Sequence, residues 1–97
     1  METNFAKLND LIADHLMDGD VANYSNDAAD AILIVKKFRM DFIANLTVTD
    51  HMTFITLTHL LETNRTVTIK EHKAEMSDPI ATAICKAYLA IHEIEYD

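Results

Sequence analysis

A single glycine, Gly19, and a single proline, Pro79, punctuate this chain. Sheets with tight turns draw heavily on both residues, glycine for positive φ and proline for its fixed φ. Their scarcity points to helices joined by a few polar connections. The expected fold is all-α, a small four-helix or five-helix bundle. At 97 residues the chain should form one domain, 1–97, because two cores would each bury too little surface. With 49% apolar and 25% charged residues, the composition is that of a folded domain and not of a disordered one.

Helical spacing marks four segments. Phe5, Leu8, Ile12 and Leu16 recur at three- and four-residue steps, with Thr3 or Asn4 to cap the start and Gly19 to end the helix in the left-handed conformation. After the turn formers Asp18, Gly19, Asp20 and Asn23, either Ser25 or Asn26 can cap a second helix from about Asp27 to Ala44, with Asn45 as its stop. Its stripe of Ala28, Ala31, Ile32, Val35, Arg39 and Phe42 is widened by Leu33, Ile34 and Phe38. A helix apolar on more than one face needs cover from two sides. That places it either centrally in the bundle or across a subunit interface, and the reading favoured is a homodimer seam on Ala28, Ala31, Ile32, Leu33, Ile34 and Val35.

The third segment, Thr49–Arg65, opens on Thr49 and Asp50, which read as an N-cap and an acidic first turn. Met52, Ile55 and His59 form one helical stripe, and Phe54, Leu57 and Leu61 form a second. Thr, Phe and Ile also suit strands, and Thr53–Leu60 partly alternates, but the cap and the stripes favour a helix. Val67 and Ile69 alternate with polar residues, which suggests a short extended segment at Thr66–Lys70. Asp78 as N-cap and Pro79 as first helical residue start the last helix, carried on by Ile80, Ile84, Ala87, Tyr88, Ile91 and Ile94.

Sixteen Asp and Glu against eight Lys and Arg give a net charge of −8, which repels nucleic-acid phosphates and anionic headgroups. Direct nucleic-acid or membrane binding is not expected; a protein partner is, and an acidic surface suits a basic one. Lone Cys85 excludes an internal disulfide framework and fits a reducing compartment. The N-terminal METNFAKLND has no basic region leading into an apolar core, and Ala31–Val35 is far too short to cross a bilayer. These features predict a cytoplasmic protein. Catalytic patterns are missing: with one glycine there is no phosphate loop and no GxSxG elbow. Ser25 and Ser77 read as caps, and neither Asp18 with Asp20 nor Glu93 with Glu95 sits where two carboxylates could flank a substrate. None of the five histidines stand four apart on a helix. No enzyme activity, metal or cofactor is expected.

His51 and His59 are the titratable groups set among core-forming residues, and a neutral imidazole can accept a phosphoryl group. On a helix they lie about 80° apart. The stretch VTDHMTFITLTHLLETNR resembles the third-helix region of phosphotransferase-system regulation domains, in which an acidic helix start leads into an apolar run, a functional histidine and a later arginine. IKEHKAEMSDPIATAICKAYLAIHEI is similar to the following helix. The resemblance covers about two-thirds of the chain, from Asp30 onward. It implies a stand-alone regulatory module phosphorylated on His59, or on His51 in the alternative register, by a phosphocarrier protein, with Arg65 as phosphate neighbour. The family's second histidine lies in a fifth helix; here only His92 stands near the end, without the acidic start that precedes the second motif. The competing expectation is a small acidic protein that binds and inhibits a basic partner.

Overall fold

The computed structural model describes residues 4–73 and 78–96. Among them the chain forms helices α1 (Phe5–Leu16), α2 (Ala28–Lys37) and α3 (Pro79–Ile91), and strands β1 (Phe42–Val48), β2 (Met52–His59) and β3 (Thr66–His72). The fold is therefore mixed, and the expected all-α bundle is corrected: Thr49–Arg65 is a hairpin turn, a strand and a loop, not a helix. Thr3 and Ser77, read as cap candidates, lie outside the described residues.

α1 keeps the expected boundaries, with Asn4 Oδ1 accepting from the Lys7 amide at 3.0 Å and Leu8, Ile12, Ala13 and Leu16 buried. It is followed by Asp18 and Gly19, both at positive φ. α2 is capped by Asp27, whose side chain accepts from the Ala29 amide, and not by Ser25 or Asn26. It also ends early. The Phe38 carbonyl accepts the amides of Asp41 (3.0 Å) and Phe42 (3.2 Å), which turns the chain out of the helix seven residues before the expected stop at Ala44 and into β1.

The strands form an antiparallel meander in the order β1-β2-β3. Thr49 and Met52 close the first hairpin: the Thr49 amide donates to the Met52 carbonyl (2.8 Å), and the Met52 amide donates back to Thr49 Oγ1 (3.0 Å). Asp50 and His51 occupy the tip. The 60–65 loop is closed in a similar way, with the Leu61 and Glu62 amides donating to His59 Nδ1 at 3.2 and 3.1 Å. Side-chain acceptors thus satisfy the turn amides, and neither loop uses the positive φ that glycine usually supplies in hairpin turns.

Pairing sets the two faces of the sheet. Ala44 stands opposite Leu57, Leu46 opposite Ile55 and Val48 opposite Thr53, while Ile55 faces Ile69 and Leu57 faces Val67 across β3. Residues directly opposite share a face, so these form the inner face. The outer face is largely threonine; Thr56 and Thr68 hydrogen-bond at 3.1 Å and Lys70 lies over the Phe54 ring. α3 lies against β2 and β3 on the inner side, and α1 and α2 pack on its opposite side. Enclosed in this way, α3 buries Ala81 through Cys85 and Ala87 through Leu89, which explains its apolar composition.

Asp78 ties the helices together. Its Oδ1 accepts from the Ile80 and Ala81 amides (3.1 and 3.3 Å), its Oδ2 from the Ala28 amide at the start of α2 (3.0 Å), and its own amide donates to Asn26 Oδ1. Thr82 Oγ1 donates to the Ser25 carbonyl (2.8 Å), and Asn9 Oδ1 accepts from both the amide and the hydroxyl of Ser25. One polar clamp therefore fixes the starts of α2 and α3 against α1.

Candidate functional site

His59 ends β2 and His51 lies just before its start. At the rise of an extended chain they are about 26 Å apart. The structure does not bring them together. His51 occupies the exposed hairpin tip. His59 lies over the Phe42 ring edge-on at 5.3 Å, and His92 meets the same ring at 5.4 Å. His92 Nδ1 is 2.7 Å from the Tyr88 carbonyl, so that nitrogen carries the proton.

The same logic fixes His59. Its Nδ1 receives two amide protons, which makes it the lone-pair nitrogen and leaves the ring proton on Nε2. In a neutral imidazole the nucleophile is the unprotonated nitrogen; here that atom is turned into the 60–65 loop. Phosphoryl transfer would need the opposite tautomer and the loss of both bonds. Arg65 is likewise committed, donating to the Ile91 carbonyl at the end of α3 and lying 3.9 Å from Glu62. A cation there complements the helix dipole.

The proposed α2 seam divides. Ala31 and Ile34 are fully buried within the protomer, Ala28 and Val35 are half-buried, and Ile32 and Leu33 are exposed at 43% and 44%. The face left over is narrow.

A broader uncovered surface lies on β1, which sequence reasoning placed partly inside a helix. Leu46 and Val48 are 45% and 54% exposed although they share a sheet face with Ile55 and Leu57, which are buried. The cause is where α3 docks: it covers β2 and β3, while β1 meets the helices at its start, where Phe42 packs against Phe38 and Tyr88. The signal was present in the alternation of Phe42, Ala44, Leu46 and Val48 with Ile43, Asn45 and Thr47.

Backbone direction adds to this. The His59 amide donates to Arg65 on the far side of β2, the Leu60 amide to the Asp41 carbonyl and the Thr49 amide to the Met52 carbonyl. Antiparallel alternation then makes Ile43, Asn45 and Thr47 the residues bonded to β2, and turns the backbone of Ala44, Leu46 and Val48 outward. Side chain and backbone are exposed at the same three residues.

Other reactive groups are sequestered. Burial pushes the Cys85 thiol up to about 12 and the Tyr88 phenol up to about 12. Lys86 and Glu71 pair at 3.1 Å between α3 and β3, both largely covered. Among the described residues, no three His, Cys, Asp or Glu side chains converge as a metal site would require, and no helix is long and apolar enough to cross a membrane. No family model, curated protein or solved structure matches the chain.

Proposed function

We propose that this chain is a non-catalytic interaction module that acts in the cytoplasm by presenting a surface to another protein. The observation that carries the reading is the uncovered inner face of β1, where Ala44, Leu46 and Val48 offer apolar side chains and outward backbone together. Exposed strand edges are what proteins use to add a strand from a partner, with main-chain bonds for affinity and alternate side chains for specificity. The strand itself carries no charge. Asp10, Asp14, Asp18 and Asp20 are exposed on and after α1 and keep the module soluble while the neutral strand makes contact.

Affinity capture from the native host with wild-type protein and the double variant L46D/V48D tests this. Both substitutions fall on exposed side chains, so the fold should persist by circular dichroism. Proteins retained by the wild type should be lost from the variant. An unchanged set would overturn the proposal.

A further inference from the structure

We infer that the occupant of the β1 edge is a second copy of this chain, joined antiparallel about a two-fold axis at Leu46 so that two three-stranded sheets become one of six strands. The inference rests on the interaction reading above and names its partner.

Symmetry of the edge is the first argument. The outward residues Ala44, Leu46 and Val48 are centred on Leu46. Two-fold pairing there sets Leu46 against Leu46 of the second copy and Ala44 against its Val48. All three pairs then exchange both of their backbone bonds. A register centred on Asn45 instead recruits the Phe42 amide, which already donates to the Phe38 carbonyl at 3.2 Å. The Leu46 register uses the backbone groups of all three residues without breaking a bond.

Charge is the second. Two bodies of net charge −8 repel, and they approach best along a strip that carries no charge. Phe42–Val48 holds none. The opposite edge of the sheet is guarded: β3 and the residue after it carry Lys70, Glu71, His72 and Lys73, the kind of charged edge that discourages strand addition. At each end of the joined strands, Arg39 and Asp41 of one copy come toward the hairpin of the other, with Asp50 and His51, so a guanidinium offsets part of the acid there. A basic protein would find its carboxylates along α1 and not on β1.

Side chains make the third. Ala44, Leu46 and Val48 of the two copies become one apolar strip on the inner face, continuous with Ile55 and Leu57. The strip is short for a permanent dimer, so the association should be weak and dependent on concentration.

Sedimentation velocity from about 5 to about 500 µM should show a dimer growing with concentration. Ala44→Pro removes an amide that points away from β2, and Leu46→Lys opposes two cations. Each should weaken association at least tenfold while circular dichroism and thermal midpoint stay close to wild type. Leu46→Cys supplies a positive test: paired Cα atoms about 5.5 Å apart lie within disulfide reach, so mild oxidation should link two chains. Thr47→Cys, opposite Asn45 and on the outer face, should not link, and Cys85 is too buried to interfere.

A wild type that stays monomeric at 500 µM, a dimer indifferent to both A44P and L46K, or equal cross-linking of the two cysteine variants would overturn the inference. If the wild type is monomeric yet L46D/V48D loses a captured protein, self-pairing fails and the interaction reading stands. If the variant also loses nothing, both fail.

Discussion

Thr53 is out of keeping with its surroundings. It lies on the inner face of β2 with 1% exposure, and among the described residues its hydroxyl has no hydrogen-bond partner. A buried hydroxyl without a partner costs about 1–3 kcal/mol. Valine has nearly the same shape, is equally suited to a strand and brings no polar atom. Thr53→Val should therefore raise stability by about 1 kcal/mol, measured as a higher urea midpoint at unchanged slope. A lower midpoint would mean that the hydroxyl is satisfied by a bound water that valine cannot keep.

Among the elements, the start of α3 holds most at a single point. Asp78 accepts three amides from two helices, so its loss exposes the first turns of both α2 and α3. One N-cap is worth about 1 kcal/mol. Asp78→Ala should cost about 2–3 kcal/mol, and Asp78→Asn, which keeps one acceptor oxygen, should recover part of it; equilibrium denaturation of the three proteins gives the order. This start was readable in the sequence because an N-cap followed by proline is a local pattern, and α1 was readable for the same reason. The hairpins were not. Glycine poverty argued against a sheet only on the assumption that tight turns need glycine, and here Thr49 Oγ1 and His59 Nδ1 receive the turn amides instead. Those contacts depend on the turn already existing, so spacing does not announce them. Read as a helix, the segment grouped the outer Met52 with the inner Ile55 and the outer Phe54 with the inner Leu57, whereas the period of two separates them. The candidate edge was hidden for another reason: whether Leu46 is covered depends on where α3 docks, a tertiary fact absent from residues 42–48.

At the scale of the whole molecule, enclosing α3 between the sheet and the other helices makes stability sensitive to alkali. Cys85 and Tyr88 lie on α3, and burial raises each to about 12 from ordinary values of 9.0 and 10.0. Tyr24, whose hydroxyl donates to the Asp20 carbonyl at 2.6 Å, is raised too, first by burial and then by Asp20 and Asp30. In each case the folded state holds a proton that the unfolded chain gives up earlier. Between about pH 9 and 12 the unfolded state therefore binds fewer protons, and stability falls as pH rises; below about 9 this contribution is fully present. Each such group adds a slope of up to about 1.4 kcal/mol per pH unit. Cys85 acts from about 9 and Tyr88 from about 10, so roughly 4 kcal/mol should be lost between pH 9 and 11 from these two groups. The comparison with Cys85→Ala isolates the thiol's share. That variant should start lower because of its smaller core, but its stability should hold level past pH 9 and bend only near 10. Urea titrations at pH 7, 9, 10 and 11 read both curves, and an identical onset in the two proteins would show that the Cys85 thiol is not held protonated by the fold.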